Sequence, residues 1–398
     1  MILKRVEKTC QQNTVRVSAW VDSPKIGNDR EIWFEFSAEF EPLVSNHADA
    51  FLPLLQIPSC VYGEELEFIP PLSEQLYHHH KIPMSIQTTW FPELHSIQVN
   101  AHNLVRRSRP QEQENTTPLV GTFFSAGVDS FYTLIKNHQQ ENHSPYNPKI
   151  THLIMMQGYE NPLKIDEAGA FKQELLARTA KDFGLAGIHG KSNFRDVFED
   201  VKWGPYYHGA GLAAAALLLS QGLSSVYVPA SCHWNNLFPW GSHPLLDPAW
   251  ESEILSLIHD GCEASRMEKT RFCAEQDIRF LSSLYVCVGK GKNNVNCGGC
   301  NKCIRTETTL EILGLLNNAK TFEKTFYPGF EKKFTRKTLR KHQHLIQAEL
   351  DFALENWALS EELNHPNANM KAFLVYFIRR AKWALLKHKI LTLLKSSG

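Results

Sequence analysis

Leu119-Val-Gly-Thr-Phe-Phe-Ser-Ala-Gly-Val-Asp-Ser130 is an apolar run that stops abruptly at small and hydroxylated residues, and its reading decides the fold. Leu119 to Phe124 reads as a buried strand, and the spacing that follows predicts a helix over Ser130 to His138. A turn from strand to helix aims unpaired backbone N–H groups and the positive helix end at one point, which suits an anion. Gly127 lets the backbone approach a ligand closely. Ser125 and Ser130 offer hydroxyl donors. Asp129 would repel a phosphate, so it is expected to cap the helix or to hold Mg²⁺. No Gly-Lys-Ser/Thr follows, so the segment is not the loop that serves γ-phosphate transfer.

Downstream of this turn, strands and helices alternate. Strands are expected over Ile150 to Met156, near Gly187 to His189, and over Ser225 to Ala230. Helices are expected over Glu167 to Phe183 and His208 to Gln221. This alternation implies an α/β fold with a doubly wound parallel sheet and helices on both faces. Upstream, Thr14 to Trp20, Ile32 to Ser37 and His95 to Ala101 read as strands, with short helices over 49–57 and 73–80. Residues 1–105 are therefore expected to form an extra N-terminal α/β domain. The polar, proline-flanked stretch 106–118 reads as a linker. Residues 119–316 form the central domain, and 317–398 a helical extension broken near Tyr327-Pro-Gly329 and Asn364 to Asn369. His78-His79-His80 reads as a polar surface run.

Nine cysteines do not make an even disulfide framework, and four of them crowd together as Cys287-x9-Cys297-x2-Cys300-x2-Cys303. Four thiolates at these spacings can surround one tetrahedral ion, with Gly298 and Gly299 allowing the turn between ligands. A structural Zn²⁺ is expected. A redox pair at Cys297-Gly-Gly-Cys300 is the alternative, and it would leave Cys287 and Cys303 without a role. Net charge over the 398 residues is zero, yet residues 318–398 hold 15 Lys and Arg against 7 Asp and Glu. Such an end can attract nucleic acid or an anionic surface, or form the solvated face of helices. The last helix, Lys371 to Lys395, is open to docking on a partner, a membrane surface or the protein's own body. The absence of a leader or a long uncharged apolar run predicts a cytoplasmic protein without a transmembrane segment.

Ser125-Ala-Gly-Val-Asp-Ser130 resembles the Ser-Gly-Gly-X-Asp-Ser signature of the PP-loop ATP pyrophosphatases, with Ala126 in place of the first glycine. Together with the cysteine array, it is similar to the 7-cyano-7-deazaguanine synthase-like (QueC-like) branch of that family over roughly residues 119 to 310. The resemblance implies a PP-loop/HUP-like sheet that binds ATP through Ser125, Ala126, Gly127, Val128, Asp129 and Ser130. It implies that Gln157 and Gly158 form a turn against adenosine. It also implies that Lys269, in Ser265-Arg-Met-Glu-Lys-Thr270, contacts phosphate, so that Asp129, Ser130 and Lys269 are the catalytic candidates. Members of the branch adenylate a carboxylate, releasing pyrophosphate, and form an amide and then a nitrile. Fixed N–H dipoles and Mg²⁺ would stabilise the charge that grows on pyrophosphate.

The substrate region departs from that branch. Ala230-Ser-Cys-His-Trp-Asn-Asn-Leu-Phe-Pro-Trp-Gly-Ser-His-Pro-Leu-Leu-Asp247 is long, aromatic and polar, and it follows the carboxyl end of a strand, where such sheets bind ligands. His233, Asn235, His243 and Asp247 are candidates to orient a substrate, with His208 at the start of the preceding helix. The bland alternative makes the tryptophans core and Asp247 a helix cap. The altered loop and the extra N-terminal domain argue against assuming the free deazapurine carboxylate, so the expected partner is a small-molecule carboxylate of open identity, with a deazapurine one candidate. The resemblance also admits a protein partner, because QueC-like proteins with such additions occur in bacterial antiviral defence operons. Two further hypotheses stay open. One is tRNA modification by sulfur or amino-group transfer, with the basic C-terminal helices on nucleic acid and Cys232 as the sulfur carrier. The other is a non-catalytic, zinc-stabilised adaptor.

Overall fold

A computed structural model describes residues 1–109, 118–144, 146–160, 163, 167–287, 295–322 and 346–396. The strands are β1 (Ile2–Cys10), β2 (Thr14–Ser23), β3 (Gly27–Ser37), β4 (Leu66–Phe68), β5 (Leu72–Ser73), β6 (Val99–Ala101), β7 (Leu104–Val105), β8 (Leu119–Phe123), β9 (His152–Gln157), β10 (Ala186–Ser192), β11 (Leu223–Pro229) and β12 (Ser256–Asp260). The protein is α/β, and ten of these strands form one mostly parallel sheet in the order β12-β11-β8-β9-β10-β3-β2-β1-β4-β6.

From β12 to β10 every pairing is parallel. All six residues of β9 are buried, as expected of a parallel strand covered on both faces. In chain order these five strands lie 5-4-1-2-3, so the order reverses between β8 and β11. Ligands of open α/β sheets bind outside the carboxyl ends of strands at such a reversal. In the chain, β8 is followed by Ala126–Ile135 and β11 by Ser231–Leu237.

The N-terminal strands continue this sheet. β3 pairs antiparallel with β10 through Phe36↔Gly190 and Phe34↔Ser192, and β2 and β1 follow as an antiparallel meander. Alternation, interrupted on β2 by the buried Ser18, makes this possible. Val15, Val17, Ala19 and Val21 face the core on β2, as do Ile32, Phe34 and Phe36 on β3. On the other face, Arg5 stacks 4.1 Å from the Trp20 ring centroid and Arg16 lies 4.3 Å from that of Trp33.

The sequence divides the chain at 106–118, whereas the structure's compact units divide elsewhere. One unit comprises Met1–Ser125, Lys136–Ala230 and Phe238–Asp260; the other comprises Ala126–Ile135, Ser231–Leu237 and Gly261–Gly398. The start of the expected linker is a tether within the first unit. Arg107 holds Asp49 through two bonds of 2.8 and 3.0 Å, and Arg109 donates to the carbonyls of Leu223 and Ile254 at 2.8 and 2.6 Å. Residues 110–117 lie outside the described residues. So do 323–345, which include the expected break at Tyr327-Pro-Gly329.

Within the first unit, His80 departs from the expected surface run. It is buried, with Nδ1 2.9 Å from Gln56 Oε1, and desolvation lowers its pKa to about 4. The second unit has a core of its own, in which Ile304, Ile312, Leu350, Ala353, Phe373 and Phe377 join three helices.

Candidate functional site

In the second unit, the turn after β8 passes through Ala126 with φ of +61°, the left-handed conformation that glycine adopts without cost. Ala126 holds it because its carbonyl accepts from Tyr285 N at 2.8 Å and its side chain is fully buried. The helix Val128–Gln139 starts two residues later. Ser130 turns its hydroxyl back to the Gly127 carbonyl at 2.9 Å. Val128 is buried, so only its backbone is on offer, whereas Ser125 is exposed.

Among the described residues Asp129 makes no capping bond to its helix, and it does not stand apart from other charges. Its Oδ2 accepts from Arg266 Nη1 at 3.0 Å, and its Oδ1 lies 3.6 Å from Lys269 Nζ with no hydrogen-bond partner among the described residues. Burial alone would raise its pKa, but Arg266, Lys269 and Lys302 outweigh that and leave the carboxyl below its ordinary range. Lys269 is buried, with its ammonium 5.6 Å from the Tyr132 ring centroid, and the Tyr132 hydroxyl donates to Glu263 at 3.0 Å. Both cations ride on the helix Arg266–Gln276. A reciprocal capping box of Ser265 and Glu268 starts that helix, and their three-residue spacing puts them on one face. Arg266 was missed in the sequence, although that same spacing from Lys269 was its signal.

The four cysteines converge in the same unit, with all four Sγ atoms within 4.8 Å of one another. Sulfurs bound at about 2.3 Å around a tetrahedral zinc would stand about 3.8 Å apart. The Cys297–Cys303 and Cys300–Cys303 separations of 3.9 and 3.4 Å fit that geometry. Burial and then the neighbouring groups push the Cys297 thiol up to about 11; contact with Cys300 and burial push Cys303 up as well. A divalent cation among them would reverse both effects.

Asn296, which no sequence pattern marked, organises the scaffold. Its buried Oδ1 accepts from the N–H groups of Val286 and Cys287 at 2.8 and 3.0 Å. Its amide donates to Leu284 O at 3.2 Å and to Thr321 at 3.1 Å. Cys303 opens the buried side of the helix Asn301–Ile312, and Arg305 on that helix pairs with the buried Glu349.

The segment after β11 divides between the two units. In the second unit, His233 caps a short turn by accepting from Asn235 N at 3.1 Å, and Trp234 and Asn235 are exposed. Desolvation, together with Asp129, pushes the Cys232 thiol up to about 11.

The remaining candidates belong to the first unit. Asp247 is buried and accepts from Ser242 Oγ at 2.7 Å, with His259 Nδ1 also at 2.7 Å from the same oxygen. The backbone closes on its other oxygen, because a Cβ on Gly209 would lie 2.3 Å from Asp247 Oδ1. Gly209 N–H is itself spent on Gly241 O at 2.9 Å. His243 is buried against Trp90, and burial, with His259, lowers its pKa. His208 starts its helix with its ring 5.1 Å from that of Trp203. Gln157 is buried and donates to Leu163 O at 2.9 Å. Gly158 takes φ of +87°, and a Cβ there would lie 2.0 Å from Ser192 O, so glycine is required on two counts.

Fold and site together define an α/β protein with a large, mostly parallel sheet and a four-cysteine cluster able to hold a metal such as zinc. No family model, no curated protein and no solved structure matches the chain.

Proposed function

We propose that the chain is a PP-loop ATP-dependent ligase, similar in chemistry to the QueC-like branch, that adenylates a carboxylate and passes it to ammonia or an amine. The observation that carries this reading is the charge around Asp129, where Arg266, Lys269 and Lys302 act on one carboxylate. Such an imbalance beside a left-handed turn and a helix start suits a polyphosphate. The 5-4-1-2-3 strand order and its reversal beside β8 support a HUP-like fold.

In this reading the substrate's carboxylate oxygen bonds to the α-phosphorus of ATP as the bond to pyrophosphate breaks. The amine nitrogen then bonds to the acyl carbon, losing a proton as AMP leaves. The N–H groups of Gly127 to Ser130 and the cations of Arg266 and Lys269 would neutralise pyrophosphate as it departs. Asp129 would hold those cations in place between turnovers, and Mg²⁺ would supply further charge neutralisation on the phosphates. Zinc on Cys287, Cys297, Cys300 and Cys303 would supply a cross-link rather than a reactive water, since four thiolates leave no open position. Exposed Trp234 and Asn235 are the residues of the β11 segment best presented to a substrate.

Sulfur transfer to tRNA is less favoured, because a Cys232 thiol titrating near 11 stays protonated at neutral pH. The test incubates the zinc-loaded full chain with Mg-ATP, ammonium and a panel of carboxylates, deazapurine acids included, and follows pyrophosphate release. Lys269→Ala and Arg266→Ala should each lower turnover at least tenfold, on the order of one lost charge-assisted contact. Wild-type protein that binds neither ATP nor AMP in calorimetry would sink the enzyme reading in favour of the adaptor.

A further inference from the structure

The helix Ala368–Ser396 carries seven Lys and Arg residues and no Asp or Glu. Its first half is used for packing. Met370, Phe373, Leu374, Phe377 and Ala381 are buried in the core shared with the helix Ile346–Glu362, and Lys371 is held by Glu361 at 2.8 Å. The two-residue step from Ala381 to Trp383 turns an α-helix by about 200°. Trp383 therefore falls on the side opposite that buried stripe.

There the helix presents a second apolar stripe. Trp383 is 54% exposed and Leu386 58% exposed, and their three-residue spacing places them on one face. Cations frame them. Arg380 lies 5.3 Å and Lys387 5.5 Å from the Trp383 ring centroid, while Arg379 and Lys382 are exposed beside them. Two apolar stripes on opposite sides of one helix call for two occupants, and among the described residues the core of this unit supplies the first.

We infer that this second face lies on an anionic lipid surface. Trp383 and Leu386 enter the headgroup boundary, and Arg379, Arg380, Lys382 and Lys387 pair with lipid phosphates. Charge selects the partner, since the described rim around the apolar stripe is cationic and matches an anionic interface. A single-stranded nucleic acid would use the Trp383 ring for stacking but would leave Leu386 unused. No described helix is long and apolar enough to cross a membrane, so the helix lies on the surface rather than through it.

The experiment sediments the full chain with vesicles of phosphatidylcholine plus phosphatidylglycerol, and with phosphatidylcholine alone. Binding is expected to the anionic vesicles only, weakening as salt rises. Trp383→Ser with Leu386→Ser should abolish it. Lys382→Glu and Lys387→Glu should weaken it by about fivefold or more for each cation removed. These side chains are exposed, so circular dichroism melts should match the wild type, and the charge variants keep the test open if the apolar pair unfolds. No sedimentation at low salt overturns the proposal, as does unchanged sedimentation of both variants. Oligothymidylate binding that depends on Trp383, without vesicle binding, assigns the face to nucleic acid instead.

Discussion

Asp247 in the first unit and Asp129 in the second are both largely buried carboxylates beside cationic or histidine partners, yet their surroundings differ in kind. Around Asp247 the groups close on one another. Ser242 and His259 share one oxygen, and Gly209 leaves no room for a side chain beside the other. Around Asp129 the balance is uneven, with Arg266, Lys269 and Lys302 acting on a single carboxylate beside a strained turn. Removing one partner of a buried pair is costly, whereas a cluster with excess cations invites an anion from solution. Asp247 Oδ1, like Asp129 Oδ1, has no hydrogen-bond partner among the described residues, so the two sites differ in the charge around the carboxylate rather than in how fully it is paired.

The largest effect expected from separating the two units comes from the cysteines. Cys303→Ser, or chelation, should cost the second unit several kcal/mol. In hydrogen exchange, the helix Asn301–Ile312 should lose protection while β8 to β12 keep theirs. Equal loss in both units would mean that the cysteines do not stabilise the second unit separately.

Next, Asp247→Ala should destabilise the protein by about 3–5 kcal/mol, because it takes their shared acceptor from the largely buried His259 side chain and from the half-buried Ser242. A denaturant melt measures this, and nucleotide binding should survive in whatever fraction stays folded.

Asp129→Ala should cost about 1–3 kcal/mol, because it removes the carboxylate shared by the part-exposed Arg266 and the buried Lys269. Pyrophosphate should stabilise this variant more than the wild type, because the cations lose the Asp129 carboxylate. At a hundred times its Kd the ligand restores about 2.7 kcal/mol. A variant indifferent to pyrophosphate would make Asp129 one partner of a buried pair, as Asp247 is.

The same contrast has a pH signature. The folded pKa of Asp129 lies below its ordinary value of 3.8, so its contribution is fully present above that pH and is lost as pH falls through the folded value. Melting temperature followed downward from pH 5 should fall less steeply in Asp129→Asn.

The smallest effect is at Ala126. Replacing it by glycine should stabilise the chain by about 0.5–1 kcal/mol, because the left-handed backbone no longer opposes a Cβ. Stability unchanged or lowered would remove strain from the account of the loop.

The sequence by itself determined the parallel α/β core and the metal-competent cysteines, because both rest on local pattern. Periodicity marked the helix Glu167–Phe183 at both ends, and the spacing from Cys297 to Cys303 confines those three thiols to a short arc. Ala126 was legible as a departure, but its φ was not, since a single residue's conformation depends on what holds it. Only the tertiary structure decided the rest. β3 joins β10 across more than a hundred intervening residues, and neither strand's alternation names its neighbour. Asp129 meets Arg266, and Asn296 braces Cys287, through contacts that depend on three-dimensional proximity. Whether a buried carboxylate is satisfied or left in an excess of positive charge follows from distances between segments far apart in the chain, and those distances exist only once it has folded.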